Sequence, residues 1–396
     1  MKRRDFLKTS AIAAAAITVS PLNISAAKEK PTVKRYNEIG KTGLKMSDIS
    51  FGTGRLPSSS MVLRAIDRGI NYFDTAPDYG SAEKYIGGAM KKIQRDKIII
   101  ASKFCTPQPY PSHLPPTSSK KEYIKAVEGS LSRMHTDYLD FCFVHAIGEQ
   151  SRSMESETRR LLNEDMLSAY QSLKEAGKVR FLAVSSHGPD NMEDLLLSAV
   201  RSGHYDMIMA SFNFMKFPRI PDMLKEAKKK DVGVVAMKTL AGAKDVDFDS
   251  KGEEFAPAAF KWVLSHPEVN GLIITIKSVA DLDLYLTASG NKLTASDQKI
   301  LDRYAARYTK EYCRTGCNTC EPSCPNGVSI ATTLRHQMYF SDYGMEKHAM
   351  ESYAQIKVNA GTCLDCDDDT CMGGCPYELP VSSLLREAHR TLTITV

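Results

Sequence analysis

Residues 98–145 read IIIASKFCTPQPYPSHLPPTSSKKEYIKAVEGSLSRMHTDYLDFCFVH, and this stretch holds the unit that decides the fold. Apolar runs typical of strands, Ile98–Ser102 and Tyr138–Val144, flank a helical stretch at Glu122–Met134. The segment 105–119 is rich in proline and serine, which predicts a loop after the first strand. A strand, a helix and a second strand in this order predict two parallel strands joined by a helix.

The same unit recurs across residues 48–290. The predicted strands are Asp48–Phe51, Tyr72–Asp74, Ile98–Ser102, Tyr138–Val144, Phe181–Val184, Met207–Ala210, Val232–Ala236 and Leu272–Thr275. Helical stretches between them include Ser60–Arg68, Glu164–Ala176 and Met192–Val200. Eight such repeats predict an α/β protein with a (β/α)8 TIM barrel. A doubly wound sheet is the alternative, but Gly52-Thr53-Gly54-Arg55-Leu56-Pro57 lacks the third glycine of its phosphate-binding turn. A turn at Gly40–Gly43 predicts a hairpin before the first strand.

Length and charge bound the domains and the partners. The chain has 396 residues, 42% hydrophobic and 25% charged, which leaves room for a barrel and an appendage. We predict a signal peptide at 1–27, a barrel at 33–295 and a C-terminal helical, ferredoxin-like cluster domain at 296–396. The net charge is +5, of which Lys2, Arg3, Arg4 and Lys8 against Asp5 supply +3. The remainder has no basic stripe, so no nucleic-acid partner is expected.

The N-terminal segment has the order of an export signal. Basic residues at 2–4 and Lys8 precede an apolar run from Ala11 to Val19 and a small-residue stretch ending at Ala26-Ala27. The paired arginines followed by Phe-Leu-Lys resemble a twin-arginine signal, whose machinery exports folded proteins. The apolar run is shorter than the roughly 20 residues of a membrane span, so no stable membrane anchor is expected. The resemblance implies a periplasmic protein that uses the twin-arginine export machinery.

Four polar residues follow the predicted strands. Asp74 ends the second strand, Lys103 and His145 follow the third and fourth, and Tyr79 lies in the loop after Asp74. In such barrels the chemistry lies at the carboxyl ends of the strands. Reduction of a carbonyl builds negative charge on oxygen, which a proton donor must neutralise. A tyrosine supplies the proton if a lysine lowers its pKa, a carboxylate holds the lysine and a histidine orients the carbonyl.

These residues carry a resemblance to the aldo-keto reductase family. Phe73-Asp74-Thr75-Ala76-Pro77-Asp78-Tyr79-Gly80 with Glu83 and Ile86-Gly87 is similar to the family's signature, and Ser102-Lys103 and Val144-His145 complete the tetrad. The resemblance covers about residues 34–290 and implies hydride transfer between NAD(P)(H) and a small carbonyl or alcohol. It assigns Tyr79 as acid and base, Lys103 and Asp74 as its support, and His145 as the group that orients the carbonyl.

The same resemblance implies residues that bind the cofactor. They are Ser185, Ser186, Asn213, Lys238, Lys277 and Ser278, which follow the fifth to eighth strands. Met209 stands where the family usually has glutamine, and Asp283 stands where an arginine commonly holds the 2′-phosphate of NADP. A carboxylate there would repel that phosphate, so the choice between NADP and NAD stays open. Loops 105–119 and 146–158 are predicted on the catalytic face, where substrate is selected.

Eight of the ten cysteines lie in the C-terminal region. They form two sets, each closed by Cys-Pro: Cys313, Cys317, Cys320 and Cys324, then Cys363, Cys366, Cys371 and Cys375. Sets of four thiolates followed by proline favour [4Fe-4S] clusters, two or one, with exchange of ligands between the sets left open. The sets resemble the ferredoxin-type tail of some aldo-keto reductases. Zinc and disulfides are the alternatives.

Two cysteines and one rival function complete the expectations. Cys105 lies just past Lys103 and is expected either to line the pocket or to be an inert small residue. Cys142 is expected in the core. The rival function is an iron-sulfur electron-transfer protein whose barrel only binds a nucleotide or a partner. The intact tetrad favours the reductase.

Overall fold

A computed structural model describes residues 30–149, 153–187, 191–215, 219–242, 254–314 and 317–393. From Pro31 onward the described residues form one compact unit. The predicted signal peptide, residues 1–27, lies outside the described residues and stays a prediction. None of the helices within the described ranges is long and apolar enough to cross a membrane.

An antiparallel hairpin precedes the barrel, as predicted. It consists of β1 (Tyr36–Glu38) and β2 (Lys45–Ser47), joined through a 3-10 turn at Gly40–Thr42. Ile39 and Met46 of this hairpin are fully buried in the same apolar cluster as residues of the barrel interior. The hairpin therefore closes the barrel at the end away from the carboxyl ends of the strands.

Eight parallel strands close into a barrel in the order β10-β3-β4-β5-β6-β7-β8-β9. They are β3 Ile49–Gly52, β4 Tyr72–Asp74, β5 Ile99–Lys103, β6 Leu139–Val144, β7 Val179–Ser186, β8 Met207–Ser211, β9 Gly233–Met237 and β10 Gly271–Thr275. Closure is made by β10 pairing with β3, with Leu272 opposite Ile49. The predicted TIM barrel is confirmed, and the closed strand order excludes the doubly wound sheet.

Alternation along each strand supplies two apolar layers. In β6, Phe141 and Phe143 belong to the cluster inside the barrel, whereas Cys142 and Val144 pack against the surrounding helices. Successive side chains of a strand point to opposite faces, and both faces of a barrel strand are covered. This explains why the barrel strands read as nearly continuous apolar runs.

The helices follow the strands. Those around the barrel are α1 Ser59–Asp67, α2 Ala82–Met90, α3 Lys120–Met134, α4 Met154–Leu161, α5 Glu164–Glu175, α6 Met192–Ser202, α7 Ile220–Lys229, α8 Phe255–Leu264 and α9 Val279–Leu286. Ser119 and Glu122 form a capping box that begins α3. A side chain at Gly87 would come within 2.4 Å of the Arg133 carbonyl oxygen, so this glycine lets α2 and α3 approach closely.

One predicted loop is shorter than expected. The sequence predicts a loop over 146–158, but α4 begins at Met154. The hydroxyl of Ser153 accepts a hydrogen bond from the Ser156 amide at 3.2 Å, and Glu155 and Glu157 lie in the first turn. A serine cap and early acidic residues stabilise a helix start. The polar composition of this segment therefore reflects a helix N-terminus as well as a loop.

The C-terminal region is helical. It comprises α10 Ala295–Tyr308, α11 Ile330–Ser341, α12 Glu346–Ala354, α13 Thr370–Gly373 and α14 Val381–Leu392, with short 3-10 turns at Glu321–Ser323 and Ala360–Cys363. Helix α10 packs on α8 of the barrel and shares an apolar cluster with it. The region from residue 313 to residue 393 is called the tail. Its helices, α11 onward, surround a separate apolar core that includes Cys320, Cys363, Cys371 and Cys375.

Candidate active site

The carboxyl ends of β4, β5 and β6 bring the predicted catalytic residues together. Asp74 and Lys103 are the last residues of β4 and β5, and His145 directly follows β6. The Lys103 ammonium donates hydrogen bonds to the Asp74 carboxylate at 2.7 Å and to the Thr75 carbonyl at 2.9 Å. Parallel neighbouring strands end at the same edge, so register alone forces this proximity. The ion pair is buried, which costs desolvation and makes each partner dependent on the other.

Tyr79 lies over this ion pair. Its hydroxyl is 3.4 Å from Nε2 of His145, and its ring centroid is 5.1 Å from Nζ of Lys103. All four residues line one cavity at the end of the barrel. The structure thus brings together Asp74, Tyr79, Lys103 and His145, which the sequence placed on three different strands and a loop.

Burial sets the protonation of the site. The pKa of Tyr79 is raised well above its usual value, first by burial and then by the charges of Asp74 and Asp78. The lowering of this pKa by Lys103 that the sequence predicts is not found. Burial also holds the pKa of His145 well below its usual value. Tyr79 therefore carries its proton at neutral pH, and His145 is a neutral imidazole.

The cavity has a volume of about 1280 Å³ and extends across the mouth of the barrel. Three predicted cofactor residues line it: Ser185, Lys238 and Lys277. This volume exceeds the roughly 300–1,000 Å³ of ordinary small-molecule sites. The cavity is therefore large enough for a dinucleotide together with a small substrate.

Three other predicted cofactor residues are absent from the cavity lining among the described residues. The hydroxyl of Ser186 donates to the Ile147 carbonyl at 2.7 Å. The amide of Asn213 donates to the Lys238 carbonyl and accepts from the Met215 amide. Ser278 caps α9. These side chains hold loops and a helix end in place, and their contact with a cofactor stays a prediction.

Two further expectations change in the structure. Met209, at the position where glutamine was expected, does line the cavity. Asp283 does not line it and instead pairs with Arg68, which directly follows α1, at 2.6 Å. The carboxylate that faces the cavity at this end is Asp281, which accepts hydrogen bonds from the amides of Lys277 and Ser278 at 3.0 Å each. Any repulsion of a 2′-phosphate therefore comes from Asp281 rather than Asp283.

A polar network missed by the sequence interpretation joins the barrel to the tail. Glu149, in the loop after β6, accepts hydrogen bonds from Tyr110 at 2.9 Å and from Tyr339 of α11 at 2.8 Å. The same carboxylate lies 2.6 Å from Nδ1 of His187, which follows β7. Its pKa is held well below the usual value even though burial raises it, because His187 and the hydrogen bonds outweigh burial. No sequence spacing links residues 149, 187 and 339.

The tail also covers the cation at the end of β9. The Lys238 ammonium lies 4.0 Å from the ring centroid of Tyr343 and 5.3 Å from that of Tyr339. Burial, followed by the charge of Arg335, lowers the pKa of Lys238 to about 7. The guanidinium of Arg55 donates to the Tyr343 carbonyl. The tail thus forms one wall of the cavity.

The two lone cysteines differ. Cys142 is buried in the core between strands and helices, as expected. Cys105 is fully buried and does not line the cavity, but its sulfur lies 3.3 Å from Nδ1 of His145 and 3.6 Å from Nδ1 of His113. Cys105 is therefore in direct contact with a predicted catalytic residue.

The spatial groups of the tail cysteines differ from the two sets seen in the sequence. Cys313, Cys317, Cys320 and Cys375 line one small cavity. The pKa of Cys363 is raised to about 11, first by burial and then by three nearby cysteines, Cys324, Cys366 and Cys371. These four residues are therefore neighbours. Each spatial group therefore takes three cysteines from one sequence set and one from the other. None of the ten cysteines, all of which lie in described ranges, forms a disulfide.

Comparisons with known proteins agree with the barrel. Residues 49–245 match the sequence profile of the Aldo/keto reductase family. The chain is 26% identical over 283 residues to L-galactose dehydrogenase of Arabidopsis thaliana, covering 62% of this chain and 85% of that protein. It is also 26% identical over 228 residues to L-glyceraldehyde 3-phosphate reductase of Escherichia coli, covering 52% of this chain and 62% of that protein. A solved structure named "Putative aldo-keto reductase from Pseudomona aeruginosa" shares the fold, with a TM-score of 0.55 and 24% identity over 67% of this chain and 98% of that one.

Proposed function

We propose that this chain, whose barrel matches the sequence profile of the Aldo/keto reductase family over residues 49–245, is an NAD(P)-dependent oxidoreductase acting on a small carbonyl or alcohol. The observation that carries the proposal is the convergence of Tyr79, His145 and the buried Asp74–Lys103 pair in one cavity. A proton donor, a neutral imidazole and a fixed cation lie together where the oxygen of a carbonyl would receive its proton. The oxidoreductase names of the similar proteins support the same class of reaction.

The residues around the cavity fit a dinucleotide. Lys238 and Lys277 bring positive charge to the rim opposite the tetrad, and Ser185 lies between these regions on β7. Phosphates are stabilised by such cations. A nicotinamide bound there would supply or accept the hydride. Whether NAD or NADP is used stays open, since Asp281 faces the cavity near Lys277.

The chain's own groups account for the proton. Because burial raises the pKa of Tyr79, its hydroxyl is protonated and acts as the acid in the direction of carbonyl reduction. His145 is neutral, so an Nε2–H donor would polarise the carbonyl without adding a charge. Nζ of Lys103 lies 5.1 Å from the centroid of the Tyr79 ring and so places a cation beside the phenol. The hydrogen bond to Asp74 holds Lys103 in this position.

The polar network at the tail indicates a hydroxylated substrate. Tyr110, His187 and Tyr339 line the cavity, and each contacts the Glu149 carboxylate. Hydroxyl and imidazole groups at a cavity wall, held from behind by a carboxylate, suit the hydroxyls of a sugar or a polyol better than an apolar ketone. We therefore place sugars first among the aldehydes, ketones and sugars that the family resemblance allows.

Replacement of Tyr79 by phenylalanine tests this proposal. The change removes the proton donor and leaves the cavity surface nearly intact. We expect turnover with a panel of sugars and aldehydes to fall at least about 10²-fold, the lower end for a general acid. Nucleotide affinity, measured by fluorescence titration, is expected to change little. Turnover close to that of the unaltered protein would remove Tyr79 from the mechanism.

We further propose that the tail holds two [4Fe-4S] clusters. The support is the two spatial groups of four cysteines, each of which borrows its fourth member from the other sequence set, as in two-cluster ferredoxins. A hydride carries two electrons and a cluster accepts one, so a structural role that fixes the tail on the barrel suits them best. The anaerobically purified chain is expected to contain about eight iron atoms. Zinc at the tail cysteines in place of iron would contradict the proposal.

Export by the twin-arginine machinery to the periplasm is the proposed route. It rests on the sequence of residues 1–27 alone. A folded chain crosses the membrane with its bound groups, so we propose that the nicotinamide is loaded before export and is regenerated in place. Protein isolated from the periplasm and then denatured is expected to release close to one NAD or NADP per chain. A site that is empty and binds added nucleotide only weakly would contradict this route.

A further inference from the structure

Four buried side chains meet behind the catalytic histidine. They are Asp78, Cys105, His113 and His145, each fully buried or nearly so, and one ligand atom from each lies within 4.8 Å of the others. Cys105 Sγ is 3.3 Å from Nδ1 of His145 and 3.6 Å from Nδ1 of His113. Oδ2 of Asp78 lies 4.0 Å from Nδ1 of His113. The four atoms surround one point, on the opposite side of the His145 ring from Tyr79.

One carboxylate oxygen of this group has no hydrogen-bond partner among the described residues. A thiol carries one proton, so Cys105 donates to at most one of the two imidazole nitrogens that face it. Oδ2 of Asp78 accepts from the Ser112 amide at 3.2 Å, but Oδ1 is buried and has no hydrogen-bond partner among the described residues. A buried carboxylate oxygen without a partner is costly. A cation at the centre of the four ligand atoms would supply a partner for this oxygen.

The sulfur–nitrogen distances match those of a tetrahedral zinc site, and the Asp78–His113 distance of 4.0 Å would have to shorten by a few tenths of an ångström on binding. With bonds of about 2.3 Å to sulfur and about 2.0–2.1 Å to nitrogen and oxygen, tetrahedral zinc holds its ligand atoms roughly 3.3–3.6 Å apart. The two sulfur–nitrogen distances, 3.3 and 3.6 Å, fall in this range. A thiolate and a carboxylate also balance the charge of a divalent ion, so the buried site would be neutral.

We propose that Asp78, Cys105, His113 and His145 form a zinc site in the wall of the active-site cavity. Zinc bound at Nδ1 of His145 leaves Nε2 protonated, and that nitrogen faces the Tyr79 hydroxyl at 3.4 Å. The ion would thus hold the catalytic histidine as a hydrogen-bond donor toward the carbonyl. This role for the ion rests on the proposed function, whereas the binding of zinc does not.

X-ray absorption at the zinc edge tests the site in the full chain with its iron retained. Protein treated with a mild chelator and reloaded with zinc alone is expected to bind one ion per chain outside the tail. Its spectrum should show one sulfur and three nitrogen or oxygen neighbours at about 2.0–2.3 Å. Failure to take up zinc, or zinc surrounded by four sulfurs only, would overturn the proposal. This measurement needs no variant, so a folding defect cannot obscure it.

Two matched cysteine variants give a second test. Cys105→Ala removes the single sulfur ligand, whereas Cys142→Ala removes an equally buried thiol from the core between β6 and the helices. Changes in residues that only orient ligands cost 10–100-fold in affinity, so we expect Cys105→Ala to weaken zinc binding at least about 100-fold. Cys142→Ala is expected to leave it unchanged. Equal zinc affinity in both variants would overturn the site.

A histidine variant separates this site from the proposed reaction. His113→Gln removes a ligand that does not line the cavity. We expect the His113→Gln variant to lose zinc and its kcat to fall at least about tenfold, while KM and nucleotide affinity change little. If the chain binds zinc with the expected spectrum but the Tyr79→Phe variant still turns over, the metal site is retained and the proposed function is rejected. A fully active enzyme without zinc would reject the role of the ion.

Discussion

The two walls of the cavity are built in different ways. On the barrel wall, Asp74, Lys103 and His145 occupy the ends of three adjacent strands, so the register of the sheet places them. On the tail wall, Tyr339 and Tyr343 are placed by contacts with Glu149, His187 and Lys238, far away in the chain. The barrel wall carries the buried Asp74–Lys103 ion pair, whereas the tail wall carries aromatic rings and hydroxyl groups. Under the proposed function, the barrel wall would supply the reacting groups and the tail wall would cover them.

Two lysines make the contrast quantitative. Lys103 is compensated by a carboxylate at 2.7 Å and a carbonyl at 2.9 Å. Lys238 lies against aromatic rings of the tail, and burial lowers its pKa to about 7. Burial and the nearby charge of Arg335 both disfavour the charged form of Lys238. The two walls therefore give their lysines different surroundings, an anion for Lys103 and aromatic rings with a second cation for Lys238.

The largest effect is expected on the barrel wall. Lys103→Met leaves the Asp74 carboxylate buried without its cation, which should lower the free energy of unfolding by about 3–5 kcal/mol and abolish turnover. Urea denaturation and kcat measure the two effects. Lys277→Met, an exposed lysine of the same cavity, is the control and should change stability by less than about 0.5 kcal/mol. Similar losses in both variants would show that the ion pair does not organise this wall.

A smaller effect is expected on the tail wall. Tyr339→Phe keeps the ring but removes the hydroxyl that contacts Glu149 at 2.8 Å and His187 at 2.9 Å. We expect KM for a sugar substrate to rise about tenfold with kcat nearly unchanged, because uniform binding is lost. Tyr353→Phe removes a tail hydroxyl that contacts His389 at 2.7 Å outside the cavity, and it should leave KM unchanged. A drop in kcat for Tyr339→Phe would show that the tail takes part in the catalytic step and not only in substrate binding.

Titration of Lys238 gives the next effect. Its pKa is lowered from 10.5 to about 7, so the charge that would attract a phosphate is lost as pH rises through about 7. We expect the nucleotide Kd to rise about tenfold between about pH 6 and pH 8, equivalent to ~1.4 kcal/mol. Fluorescence titration of the unaltered chain and of Lys238→Met, whose profile should be flat across this step, checks the assignment.

As pH rises, the free energy of unfolding should increase, whereas the nucleotide affinity is expected to fall. Between about pH 7 and 10.5 the unfolded chain binds a proton at Lys238 that the folded chain has lost. The free energy of unfolding contributed by this group therefore rises with pH across that window. Comparing the pH dependence of unfolding for the unaltered chain and Lys238→Met isolates the contribution. A parallel dependence in both would assign the titration to another group.

The smallest effect concerns the choice of cofactor. Asp281→Asn removes the carboxylate charge that faces the cavity beside Lys277. The affinity for NADP relative to NAD should increase about fivefold, equivalent to ~1 kcal/mol for one charge at about 4 Å in water. Asp283→Asn is the matched control, because Asp283 pairs with Arg68 outside the cavity lining. If only the second variant shifted the preference, the assignment of the repulsion to Asp281 would be wrong and Asp283 would be its source.

The sequence predicts much of the barrel because its signals are local. The strand Tyr72–Asp74 has the same bounds in the prediction and in the structure, and β8 differs from Met207–Ala210 by one residue. Asp283 is assigned by counting along a helix, and a count does not reveal that Arg68 turns this carboxylate away from the cavity. The loop prediction for 146–158 is wrong at its end because a polar segment that begins a helix has the same composition as a loop.

Taken by itself, the sequence determined the repeated strand–helix order and hence the convergence of Asp74, Lys103 and His145, since parallel strands end at one edge. Only the tertiary structure decided which distant residues meet. The loop after β5 brings Cys105 and His113 to the back of His145, and α11 brings Tyr339 to Glu149 across 190 positions of the chain. Such contacts depend on the path of loops and the docking of helices. Neither leaves a periodic signal in the residues themselves.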